Sequence, residues 1–279
     1  MTTTHYEPYE GPKRERLAAD AATAMARYPD PRSALLPLLH LVQSEDGYVS
    51  PDGIAFCGQT LGLSTAEVSA VATFYSQYKR HPNGEYTVGV CTNTLCAIMG
   101  GDAIYDELSE HLGVGHDETT TDGAVTLERI ECNAACDYAP VMMVNWEFFD
   151  NQTPDTAKQV VDRLRAGEPV APTRGASSVC SFKQMSRVLA GFSDGRADEG
   201  VGAGPQTVVG AKLARQKGWT APAVGDTRGD DNTEASPAGQ AAPMTAGRDS
   251  SVDTPAAPPS GGTADTPTGR HAAEPGKEA

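Results

Sequence analysis

Leucine, isoleucine, phenylalanine, tyrosine and tryptophan are missing from every position after Trp219 of this 279-residue chain. What remains there is Pro, Gly, Ala, Ser, Thr and scattered charge, which cannot bury enough apolar surface to offset the entropy of ordering. Residues 220–279 are therefore expected to be a disordered tail. Long apolar runs are missing as well. No stretch approaches the roughly 20 residues that span a bilayer, and MTTTHYEPYEGPKRER at the start has no signal-peptide-like apolar segment. The chain is thus expected in reducing cytoplasm, with no direct membrane insertion. Basic charge is scarce over residues 1–170, with 11 Lys and Arg against 25 Asp and Glu. That balance argues against a nucleic-acid or anionic-membrane surface. There is no G-x-G-x-x-G after a strand-like segment and no Gly-rich phosphate loop, so neither NADH nor flavin has an obvious cradle here.

What is present divides into a helical part and a mixed part. RERLAADAATAMARY is Ala-rich and suits an opening helix. Ser33 is placed to cap a second, with Leu35, Leu36, Leu39 and Val42 as its apolar stripe. Ser50-Pro51 reads as a cap followed by a first-turn proline, and Gly62 is placed to end that third helix. Ser64 and Glu67 form a capping box for a fourth. Beyond the turn residues His81 to Gly84, the pattern changes. YTVGV (86–90) and VTLERI (125–130) read as strands, VMMVNW with EFF as a further pair, residues 98–113 as a helix, and Thr153-Pro154-Asp155 as the start of a last one. Ser181 to Phe192 reads as an amphipathic helix or a partner-docking segment.

Cysteine is scarce too, and its placing is informative. Four of the six form two pairs: Cys91 and Cys96 in CTNTLC, and Cys132 and Cys136 in ECNAAC, each just past a predicted strand. If the strands are parallel neighbours, both loops emerge at one sheet edge and four sulfurs converge. Four thiolates, two for each iron, are what a [2Fe-2S] cluster needs. Small loop residues (Thr92, Asn93, Thr94, Asn133, Ala134, Ala135) let backbone amides approach the sulfurs. Rival readings are a four-cysteine zinc site, which usually uses C-x2-C knuckles, a redox disulfide, which uses C-x-x-C, and unconnected core thiols. Cys57 lies in an apolar helical pattern and reads as a core thiol; Cys180 has no assigned role. Phe74, Tyr75 and Tyr78 are candidates for a partner interface or for the junction between the two parts. His40, His81, His111 and His116 show no ligand spacing with the cysteines, and Asp137 reads as a solvated loop carboxylate beside the last of them.

Over residues 14–170 these features resemble the thioredoxin-like [2Fe-2S] subunit family of NADH:quinone oxidoreductase, respiratory complex I. The residues that carry the likeness are GYVSPDGIAF, ATFYSQY, CTNTLC and ECNAACDYAPVMMVN. The resemblance implies an α+β fold: a helical bundle over 14–80, then a thioredoxin-like α/β [2Fe-2S] ferredoxin domain over 84–170. A docking extension over 171–219 and the tail over 220–279 lie outside it. It further implies Cys91, Cys96, Cys132 and Cys136 as ligands of one [2Fe-2S] cluster, with no catalytic residue in this chain. FMN and NADH would sit on a partner flavoprotein subunit, among other peripheral-arm subunits on the inner face of the cell membrane. The alternatives it leaves are the equivalent subunit of an NAD-linked hydrogenase or formate dehydrogenase, or, in another class, a zinc-holding interaction module. One departure stands out: the family usually reads Cys-Leu-Gly-Ala-Cys, where this chain has Asn133 and Ala134. Alanine in place of glycine narrows the backbone conformations open to the loop.

Overall fold

The first helix, α1 (Gly11–Met25), buries Leu17, Ala21 and Ala24 along one face. α2 follows over Leu35–Asp46, α3 over Pro51–Leu61 and α4 over Thr65–Phe74. The structure, a computed structural model, describes residues 8–220. The tail expected over 220–279 lies, from residue 221 on, outside the described residues, as do residues 1–7 of the segment read for a leader.

The caps explain most of the helix boundaries. Ser50 Oγ accepts from the Gly53 amide and Gly62 takes the left-handed C-terminal position, so α3 starts and stops where its sequence says. Ser64 and Glu67 close a full capping box on α4. The expectation for Ser33 is corrected. Asp30 caps a 3-10 turn over Pro31–Ala34 by accepting from the Arg32 amide, and α2 grows out of that turn without a side-chain cap. Proline at the first position of the turn makes Asp30 the better-placed acceptor. Leu38, Leu39, Val42, Ile54, Phe56 and Val68 then close a core among the four helices.

The second core lies on a five-stranded sheet ordered β2-β3-β1-β4-β5, with β1 Tyr86–Cys91, β2 Glu118–Thr119, β3 Val125–Ile130, β4 Met142–Val144 and β5 Glu147–Phe149. β1 and β3 are parallel, in a register that pairs Tyr86 with Val125 and Cys91 with Ile130; the other pairings are antiparallel. β4 and β5 form a hairpin whose turn residues, Asn145 and Trp146, both have positive φ, as the twist-matching two-residue turn requires. A short helix not expected from the sequence, α5 (Thr94–Ile98), comes next, and the helix expected over 98–113 is α6 (Gly101–Leu112), which begins three residues later and ends at Gly113 as expected. The two are separated at Gly100, whose φ of 113° no continuous helix admits. α6 packs on β1, β3 and α7 (Pro154–Arg165), and Ile104, Leu108, Val161 and Leu164 meet Val88, Val90 and Leu127 there.

Residues 181–190 dock on the chain itself. Ser181 caps α8 (Phe182–Leu189), which packs along α2. Buried Phe182 stacks on Trp146 at 5.8 Å between centroids and its amide donates to the Glu85 carbonyl at 2.8 Å. A last helix, α9 (Val209–Lys217), buries no residue and was not expected from the sequence. Buried Lys79 joins the helical part to the sheet: its amide donates to Gln43 Oε1 on α2, and its ammonium pairs with Glu128 on β3 and with Asp117. None of the described helices is long and apolar enough to cross a membrane.

Candidate metal centre

Parallel pairing of β1 and β3 decides where the cysteines go. Both strands end at the same sheet edge, so Cys91 at the end of β1 and Cys96 on α5 lie on the same side as the loop after β3, carrying Cys132 and Cys136. Cys91 and Cys96 are buried and share an apolar cluster with Ala135, Tyr138 and Val141. Cys132 and Cys136 lie exposed at the rim. Cys57 is buried in the helical core and Cys180 half-buried at the foot of α8, both outside the site.

Hydrogen bonds tie the two loops together. Asn93 Oδ1, on the first loop, accepts from the Cys132 amide of the second at 2.9 Å. The Cys91 amide donates to the Val141 carbonyl at 3.1 Å, which fixes the strand end to the segment entering β4. Within the second loop, Ala134 takes a φ of +54° and its amide donates to Cys132 Sγ at 3.4 Å. The left-handed conformation turns that amide back onto the sulfur, and alanine adopts it at a cost that glycine would avoid. Cys132 Sγ and Cys136 Sγ are 3.8 Å apart.

That spacing tests the fit. Two thiolates at about 2.3 Å from one tetrahedral metal are separated by about 3.8 Å. Among the described residues no group of three or more His, Cys, Asp or Glu side chains is already arranged to hold a metal ion. The sulfurs stand as two pairs, a donor set that fits two bridged irons with two thiolates each. Burial pushes the Cys96 thiol up to about 11, while a hydrogen bond donated by the Val141 backbone amide to its sulfur works the other way. The neighbouring Cys132 thiol raises Cys136, as does Cys91 across the gap. Thiols crowded like this resist ionising together, and a bound cation removes the conflict.

A support beneath the site has no signal in the cysteine spacing. Gly101, at the start of α6, lies against the carbonyls of Cys91 and Cys96, and a Cβ there would sit 2.9 Å from the Cys96 oxygen. Gln206 and Thr207 cover the far side, with Gln206 Oε1 accepting from Tyr138 Oη at 2.8 Å and Thr207 Oγ1 donating to Asp137 at 3.2 Å.

Beside the known families, the profile of thioredoxin-like [2Fe-2S] ferredoxins matches residues 21–165. This chain belongs to that family. The match spans both the helical part and the sheet, so the α+β architecture with its thioredoxin-like domain is the family's own fold, and the family implies a [2Fe-2S] cluster. Among curated relatives, an NADH-quinone oxidoreductase subunit of Mycobacterium tuberculosis strain H37Rv is 65% identical over 208 residues, 74% of this chain and 82% of the relative. NADH-quinone oxidoreductase subunit 2 of Thermus thermophilus is 37% identical over 146 residues, 51% of this chain and 81% of the relative. A fainter likeness, at 19% identity and a TM-score of 0.44 over 48% of this chain and 23% of the other, is to an air-oxidised NAD+-reducing [NiFe]-hydrogenase, too slight to bear on function.

The other singled-out residues have structural partners. His81 Nε2 is 2.9 Å from Asp117, His111 Nε2 is 2.6 Å from Asp162, and His116 Nδ1 accepts from the Arg129 amide, so these three do not join the cysteines. His40 is buried against Tyr78, whose hydroxyl donates to the Leu36 carbonyl. Tyr78 thus packs the helical core, whereas Phe74 is 79% exposed and Tyr75 is exposed beside it.

Proposed function

We infer that this chain is an electron-transfer subunit of the NADH:quinone oxidoreductase type, with Cys91, Cys96, Cys132 and Cys136 holding its one [2Fe-2S] cluster. It is a non-autonomous part of an oxidoreductase complex. The observation that carries the ligand assignment is the pairing of β1 with β3, which sets two thiol pairs face to face at one sheet edge. Such a cluster, when bound, takes up and returns one electron at a time. The chain's own residues do the rest. Asn93 and Val141 fix the loops, Ala134 turns its amide onto Cys132, and Ala135, Tyr138 and Val141 keep water from the inner pair.

NADH and FMN belong, in this reading, to a neighbouring flavoprotein subunit. Leu95, Ile98 and Met99 support that assignment: all three are exposed on or just past α5, beside buried Cys96, with Ile98 77% exposed. Unpaired apolar surface so close to a redox site is suited to a partner that must come within electron-transfer range. Held by such partners, the chain sits on the cytoplasmic face of the membrane without entering it.

The test is the full chain purified without oxygen and assayed for iron, sulfide and zinc, with EPR after dithionite reduction. Two irons and two sulfides per chain with a rhombic one-electron signal are expected, and Cys132→Ala loses them. Stoichiometric zinc with no signal would overturn the reading. Co-purification with a flavin subunit and membrane partners distinguishes the respiratory complex from soluble NAD-linked relatives.

A further inference from the structure

Asn133 follows the ligand Cys132 directly, and its amide nitrogen Nδ2 is buried without any hydrogen-bond partner. A buried unpaired amide donor gives up its hydrogen bond to water with nothing in return, so native structures rarely keep one without a reason. The surroundings narrow the acceptors that could satisfy it. The rest of the loop, Ala134 and Ala135, has no side-chain acceptor. Asn93 Oδ1, on the facing loop, accepts from the Cys132 amide and makes no bond to Asn133 Nδ2. The Ala134 amide is turned toward Cys132 Sγ, so one donor of this loop already faces that sulfur.

We propose that Asn133 Nδ2 donates a hydrogen bond to a sulfur of the cluster held at Cys132, and that Asn133 is thereby a residue that sets the reduction potential. The inference rests on the cluster assignment above. A donor to a cluster sulfur draws charge off it and favours the state with the added electron, so the bond raises the potential. Without the cluster, the same donor has nothing to bind and only destabilises the loop.

Two readouts on the full chain test this with Asn133→Leu, which keeps the bulk and removes the donor, and with Asn133→Ala. In the metal-free chain the leucine variant is expected to melt at or above wild type, because an unpartnered donor has been deleted. In the loaded chain both variants are expected to show a lower midpoint potential in an EPR-monitored redox titration. Reduced cluster uptake with unchanged metal-free stability would also support the contact. An unchanged or raised potential in both variants overturns the proposal alone. So does a metal-free leucine variant that melts clearly lower, since Nδ2 would then have a protein partner. Wild type that carries no iron and sulfide overturns the cluster assignment itself, and the proposal with it.

Discussion

Replacing Gly101 with alanine adds one methyl group where the backbone of Cys91 and Cys96 leaves no room for it. The new Cβ would lie 2.9 Å from the Cys96 carbonyl oxygen, 3.1 Å from its carbon, and against the Cys91 carbonyl oxygen as well. These are backbone atoms, so no side-chain rotation relieves the contact. Either α6 shifts off β1 and β3, or the 91–96 loop moves and takes its two thiols with it. Overpacking of this kind costs about 1–3 kcal/mol. For a unit of roughly 200 residues each kcal/mol lowers the melting temperature by about 2–4 °C, so Gly101→Ala should melt about 4–8 °C below wild type at a cost near 2 kcal/mol. Iron and sulfide per chain, measured on the same preparations, should fall with it. Gly210→Ala is the control: nothing lies within 4 Å of a Cβ there and the position is inside α9. It should be neutral or stabilising by up to about 1 kcal/mol. A Gly101→Ala chain that melts with wild type and holds its full two irons and two sulfides would refute the packing argument.

Three further outcomes are expected. Burial lowers His40 to about 4 from an ordinary 6.5, so between those values the unfolded chain binds a proton that the folded chain refuses. Stability from this group is complete above pH 6.5 and is lost as pH falls toward 4, by about 3 kcal/mol in all; the pH dependence of denaturant unfolding, wild type minus His40→Phe, measures it. Arg174→Ala strips buried Asp150 of its guanidinium and bares Phe148, on which Arg174 stacks at 3.8 Å. The loss should be near the lower end of about 3–5 kcal/mol, because Thr173 still donates to Asp150, and chemical denaturation reads it. Ala134→Gly relieves the left-handed alanine but frees the unfolded chain, so a net gain of about 0.5 kcal/mol is expected in a thermal melt, with iron content unchanged.

Much of this fold was legible because its signals are local. Ser50, Ser64 and Thr153 cap their helices through bonds three residues away, and the alternation in YTVGV and VTLERI needs no tertiary context to read as strands. The thiol pairs were legible for the same reason, since each is a short spacing behind a strand. Long-range pairing hid the rest. Ser33 lost its role to Asp30 within a turn whose geometry the helix-cap pattern does not describe. The short α5 over Thr94–Ile98 and the seating of Gly101 against the Cys91 and Cys96 carbonyls left no local signal. Asn93 gives no hint that it reaches across 39 residues to the Cys132 amide. Nor does the composition of 181–190 say which surface buries Phe182.

The parallel register of β1 and β3 also sets an order of events in time. Antiparallel neighbours can zip from a tight turn, but parallel ones must first close the long crossover that holds α5, α6 and β2. Non-local pairing of that kind is the slow part of folding, since loop closure precedes any reward from the contact. Until it occurs, Cys91 and Cys96 travel with one segment of chain and Cys132 and Cys136 with another. On the ligand assignment proposed above, the four sulfurs come together only once β1 and β3 have paired.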